Sequence, residues 1–206
     1  MLALFEEDAS LVVACSEVAF AGPGGEILHT TGHAAQDIRQ ILLHASIDTI
    51  VSLPAGAAAV MRASAYRQAG GYRPQFYFAQ DLDLWIRLAG LGGVRIEPAA
   101  LYEARVGIST ISSLYRAEQI ASASIAIALR EATTEPERTA LLGEVARIRP
   151  RSGSATAAEE AKAHYFIASC LRRQRDPRWR HYAVRAVSRH PLYLRPWLLL
   201  LRGLLG

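Results

Sequence analysis

The segment Gly70-Gly71-Tyr72-Arg73-Pro74, followed by Phe78-Ala79-Gln80-Asp81-Leu82-Asp83-Leu84-Trp85-Ile86-Arg87-Leu88, constrains the fold more than any other part of the chain. Paired glycines permit backbone conformations closed to other residues, and Pro74 fixes a turn, so the chain can reverse sharply before the acidic stretch. Leu84, Trp85, Leu88 and Leu91 then recur at the spacing of one helical face. Asp81 falls in or just before the first turn of that helix, where free N–H groups favour a carboxylate. Residues two apart on a helix point about 200° from one another, so Asp81 and Asp83 cannot both face one ligand. Asp83 is left to cap the helix or to hold the turn by hydrogen bonds.

The order of elements on either side is α/β and then purely helical. Leu11–Phe20 is expected to be a strand, Gly22-Pro23-Gly24-Gly25 is a turn, and Asp37 to His44 carries Ile38, Ile41 and Leu42 on one helical face. Ile50–Leu53 and Gly56–Arg62 are expected to be extended, Phe78–Gly90 helical, and Val94–Arg105 a strand pair or one bent strand. After Ser109 four helical stretches follow, Ser112–Ala132, Glu135–Ile148, Ala155–Arg175 and Arg178–Arg189, broken by Arg149-Pro150-Arg151-Ser152-Gly153-Ser154 and by Asp176-Pro177. Ala157 to Pro191, with Ala161, Tyr165, Ala168, Tyr182, Ala183, Ala186 and Val187, resembles a single helical hairpin of the tetratricopeptide kind, which cannot bury its faces alone.

The turn and helix quoted first resemble the second half of the catalytic domain of family 2 glycosyltransferases, where a Gly-Gly-Tyr/Phe turn precedes a Glu-Asp-x-Asp-Leu-Trp-x-Arg-Leu helix. Gln80 stands where the family has its first acid. The likeness continues in order through Leu53 to Arg62, Ser64 to Ala69 and Gly93 to Arg105, and covers about residues 1–110. It implies a GT-A-like mixed sheet, partial in this chain, followed by a helical region from residue 111 to 206. It also implies an inverting transfer of sugar from a nucleotide-sugar donor to a glycan, lipid-linked or other hydroxyl acceptor. Asp81 matches the family's general base. Gly70, Gly71, Tyr72, Gln80, Asp83 and Trp85 are then expected to bind acceptor or support the site. Arg105 resembles the arginine of a family Tyr-Arg-x-His segment, with Ala104 and Gly107 in place of the aromatic residue and the histidine; an ordinary surface arginine is the other reading.

The family's Asp-x-Asp motif, which holds a divalent Mg or Mn ion under the donor diphosphate, is expected upstream of Met1. Glu6-Glu7-Asp8 is a solvated charge run at a helix end and not that motif. No metal is therefore expected on this chain alone, and the chain is expected to be truncated and inactive by itself. A sheet without its neighbours would expose an edge and invite self-association. His29 and His33 have the i, i+4 spacing of a metal pair, but Gly32 and the threonines around them mark a loop.

Composition enters through charge. From Leu171 onward the chain carries nine arginines against the single acid Asp176, so the formal +4 of the 206 residues belongs to the tail. The last stretch, Pro191 to Gly206, is apolar yet shorter and more interrupted than the about 20 apolar residues of a spanning helix. Two readings stand: its leucines pack internally, or it lies with Trp197 and the neighbouring arginines on an anionic lipid surface. Two distant cysteines, Cys15 and Cys170, indicate neither a disulfide framework nor a zinc site. Together with the absence of a basic leader, this points to a cytoplasmic protein, with the inner face of the membrane as the peripheral alternative. The competing functional class is a non-catalytic interaction or membrane-associated module. Nucleic-acid binding by the arginine-rich tail ranks behind both.

Overall fold

A computed structural model of the chain describes residues 1–31, 36–49, 56–107, 114–151 and 154–204. The fold is α/β. Its elements run α1 (Leu2–Glu7), β1 (Leu11–Ala21), β2 (Ile27–Thr30), β3 (Gln36–Asp37), α2 (Arg39–Leu43), β4 (Ala59–Met61), α3 (Ala63–Gln68), α4 (Gln80–Ala89), β5 (Gly93–Arg105), α5 (Arg116–Glu131), α6 (Glu135–Val145), α7 (Ala157–Arg173), α8 (Trp179–Arg189) and α9 (Leu194–Leu204). Five strands form one sheet in the order β2-β1-β5-β3, with β4 paired to β1.

β1 is the axis of that sheet. Leu11 to Val18 are all buried, as in a strand covered on both faces. It pairs with β4 antiparallel, Val13 opposite Met61 and Cys15 opposite Ala59, and β3 pairs antiparallel with β5 through Gln36 opposite Ile96. β1 and β5 run in the same direction. Gly93 N–H donates to Ser10 O at their start and Val106 N–H to Ala21 O at their end.

The chain separates into two compact units that interleave in sequence. The first comprises Met1–Ala19, Thr30–Glu103 and Ala117–Pro150; the second comprises Phe20–His29, Ala104–Arg116 and Arg151–Gly206. A single boundary near residue 110 does not describe them, because α5 from Ala117 and all of α6 belong with the first unit. Their residues explain why. Ala123, Ile125, Ala126 and Leu129 of α5 and Val145 of α6 are buried in the same core as Val13, Cys15, Leu84, Trp85, Leu88, Val94 and Ile96.

Within the first unit α4 is the best-buried helix. Leu82, Leu84, Trp85, Ile86, Leu88 and Ala89 are all inside, each large side chain contributing about 1.5–3 kcal/mol of burial. Leu91, expected on the same face, is exposed because the helix ends at Ala89. α4 also starts later than the pattern suggests: Ala79 has φ 55°, a left-handed conformation that cannot continue a helix backwards. α1 extends to Glu7, with Glu6 and Glu7 in solvent, and Asp8 Oδ1 accepts from Ser10 N–H at 2.8 Å. Arg62 ties this corner together, donating from Nε to Leu11 O at 2.7 Å and from Nη2 to Phe5 O at 2.9 Å. The expected strand Gly56–Arg62 begins as a 3-10 turn at Gly56–Ala58 and becomes β4 only at Ala59. Val94–Arg105 is one continuous strand. Ile50–Leu53 lies outside the described residues.

The second unit is built on the hairpin of α7 and α8, which pack against each other. Ala161, Ala168, Ala183 and Ala186 are fully buried, and such small side chains let the helix backbones approach closely. A capping box starts α7: Glu159 N–H donates to Thr156 Oγ1 at 3.2 Å while Thr156 N–H donates to Glu159 Oε2 at 2.8 Å. The Thr156 N–H, then the Arg151 guanidinium and the Thr156 hydroxyl, hold the pKa of the Glu159 carboxyl down at about 2. α6 begins with the same device at Thr134 and Glu137.

Candidate functional site

The turn that precedes α4 has the conformation its glycines predict. Gly70 and Gly71 sit at φ 80° and 67°, where a side chain is strained. Gly71 also lies against Tyr66 of α3, whose hydroxyl would be 3.0 Å from an added Cβ. The ring of Tyr66 meets that of Tyr72 edge-on at 5.9 Å, which presents Tyr72 at the surface.

Asp83 is buried and holds this turn. Its Oδ1 accepts from Arg73 Nη1 at 2.7 Å and its Oδ2 from Arg87 Nη2 at 2.6 Å. Arg87 Nη1 in turn donates to Ala69 O, directly before the glycine pair. One carboxylate thus joins the turn, the helix and the end of α3 through two guanidinium groups. Trp85 is also fully buried, its indole N–H without a hydrogen-bond partner among the described residues, so it supports α4 from inside rather than facing an acceptor.

Asp81 points elsewhere, as the helical angle requires. It is half-buried, and its Oδ2 accepts from the Gly56 N–H at 3.2 Å while its Oδ1 accepts from its neighbour Leu82 at 2.9 Å. Gly56 comes so close that an added Cβ would lie 2.7 Å from the Asp81 Cβ. Burial, then the charge of Asp81 and then Tyr66 push the Tyr72 phenol above its ordinary value. Asp81, Gly56, Tyr72 and Tyr66 are therefore one cluster on the surface of the first unit. Gln80 is exposed beside it at the first position of α4.

Sequence reasoning missed Gly56 and Tyr66. Tyr66 lies four residues before Gly70, a spacing that joins it to the turn once Ser64 to Ala69 is taken as a helix. Gly56 carries no such signal, since it lies 25 residues from Asp81 and meets it only in the folded chain. Arg105 is exposed and belongs to the second unit.

The carboxylates do not suit a divalent cation. Both oxygens of Asp83 are occupied by guanidinium groups, Asp81 faces an N–H, and position 80 is an amide. Among the described residues no three His, Cys, Asp or Glu side chains converge as a metal site. His29 instead stacks on Phe20, ring centroids 4.6 Å apart, and burial followed by the charge of Arg173 lowers its pKa; His33 lies outside the described residues. Among the described residues, too, no helix is long and apolar enough to cross a membrane. Compared with known proteins, the chain matches no family model, no curated protein and no solved structure.

Proposed function

We propose that the Asp81 cluster is the acceptor side of an inverting glycosyltransferase of the GT-A kind. Asp81 takes the proton of an acceptor hydroxyl. The acceptor oxygen bonds to the anomeric carbon of a nucleotide-bound sugar, the bond from that carbon to the diphosphate oxygen breaks, and the nucleoside diphosphate leaves with the electron pair. The observation that carries this reading is the division of labour on α4: Asp83 is committed to Arg73 and Arg87, whereas Asp81 is held at the surface by Gly56 and flanked by Tyr72. The Gly56 N–H fixes the half-buried carboxylate, and Tyr72 offers an aromatic face against which a sugar ring can stack. The donor's divalent cation does not fit these residues, and their part is confined to the acceptor and its proton.

Acceptor binding is testable on the chain itself. Chemical-shift mapping with a panel of saccharide and lipid-linked hydroxyl acceptors should move Tyr72, Gly56 and Asp81 together, and Tyr72→Ala should weaken the shift. Joined to a nucleotide-sugar-binding half, the chain should release nucleoside diphosphate, and Asp81→Asn should slow that release about 10²- to 10⁴-fold, the usual contribution of a positioned base. An unchanged rate with Asn at position 81 overturns the assignment and leaves Asp81 as part of a helix start.

A further inference from the structure

The last helix is covered on one side and bears an apolar stripe on the other. Pro196, Leu199, Leu200 and Gly203 of α9 face inward: Pro196 is buried, Leu199 and Leu200 pack on the core of the second unit, and Gly203 lies against the Trp179 ring. Arg172 Nη1 donates to Leu199 O at 3.3 Å and its guanidinium lies over the same indole, fixing the covered side. The other side carries Leu194 at 69%, Leu198 at 52%, Leu201 at 54% and Trp197 at 42% exposure, with Leu192 at 84% just before it. Leu194, Trp197, Leu198 and Leu201 have the i, i+3, i+4, i+7 spacing of a single stripe. Arg195 and Arg202, both exposed, flank that stripe on one side.

We infer that the outer face of α9 docks on an anionic lipid surface, its leucines and Trp197 entering the headgroup boundary and its arginines meeting lipid phosphates and carboxylates. Charge decides between possible occupants. No Asp or Glu occurs from Pro177 to Gly206, so a second copy laid on this face would bring Arg195 and Arg202 toward their counterparts with no carboxylate on α8 or α9 to pair them. Single-stranded nucleic acid would satisfy the arginines but leave a leucine stripe in water, since bases stack on aromatic rings rather than on Leu. A bilayer of acidic lipids satisfies both halves of the face, the combination typical of helices that lie in the interface plane. This surface belongs to the second unit and is independent of the Asp81 cluster.

Trp197 reports on its own docking, because the other two tryptophans, Trp85 and Trp179, are buried. The full chain is mixed with vesicles of phosphatidylcholine alone or with phosphatidylserine added, then sedimented, while tryptophan emission is recorded. Binding to the acidic vesicles with a blue shift is expected, weakening as salt rises. Leu194→Ser, Leu198→Ser and Leu201→Ser together leave the covered side of α9 intact and should abolish it. Arg195→Gln with Arg202→Gln should weaken binding roughly fivefold per arginine. A chain that stays in the supernatant with both vesicle types overturns the proposal, as does equal binding to neutral vesicles. A leucine variant that turns a dimer into a monomer with no change at vesicles gives the face to a second copy, and preference for single-stranded nucleic acid gives it to that ligand; either result overturns the lipid assignment.

Discussion

In the first unit the buried carboxylate of Asp83 meets guanidinium groups at 2.7 and 2.6 Å, whereas in the second unit the buried imidazole of His164 has no hydrogen-bond partner at Nδ1 among the described residues. The two units also differ in what surrounds these groups. Asp83 sits beneath a turn and a helix whose large side chains, Leu84, Trp85 and Leu88, are wholly inside, while His164 sits on a hairpin packed through alanines beneath an arginine-rich surface. A charge that is buried with its counter-charges can organise a site; a titratable group buried alone can only be kept neutral. The first unit accordingly holds Asp81 beside a turn that Asp83 fixes, and the second presents an arginine-rich surface.

The strongest way to break this comparison is to remove the paired charge. Asp83→Asn keeps the shape and leaves Arg73 and Arg87 facing an amide. Loss of one member of a buried pair costs about 3–5 kcal/mol, and the lower end applies because Arg73 retains some contact with water. Urea unfolding should show a midpoint far below that of the parent, with Asp81→Asn close to the parent. If the two variants unfold alike, Asp83 does not organise the turn.

Gly56→Ala sharpens the same point at smaller cost. The new methyl would lie 2.7 Å from the Asp81 Cβ, so either α4 or the 3-10 turn must move. Overpacking of this kind costs typically about 1–3 kcal/mol. The displacement should be read in the amide signals of residues 80–82 and of Tyr72 while the hairpin of the second unit keeps its spectrum. An alanine accepted without loss of stability and without shifts at Asp81 would show that the close approach is not needed.

The contrast also explains what was legible in the chain. The glycine turn, the α4 face and the opposed directions of Asp81 and Asp83 follow from local spacing, and the structure has all three. The strand at Leu11, the turn at Gly22 and the hairpin breaks at Pro177 were legible for the same reason. What spacing does not encode is which distant segment comes next to which. Gly56 reaches Asp81, and α5 and α6 join the core of β1 and α4, only because long-range packing brings them there; helical periodicity showed that they were helices but not whose core they complete. Leu91 misled for a simpler reason, since the apolar period ran past the point where the helix stops.

The smallest expected effect concerns acid, and its sign is the informative part. Burial, followed by the charges of Arg185 and Arg189, lowers the pKa of His164 below its ordinary value, with Glu160 opposing and His181 adding to the shift. A histidine with a depressed native pKa stays neutral in the fold while the unfolded chain takes up a proton below about pH 6.5. The unfolded state then binds more protons than the native one, so stability falls as pH drops through that range and is complete above it. Hydrogen exchange across α7 and α8 should therefore speed up between pH 7 and pH 5 relative to α4, after correction for the intrinsic rate. His164→Phe removes the titrating group without adding a buried polar atom and should flatten that dependence. A hairpin that loosens equally in the phenylalanine variant would take the acid sensitivity away from His164.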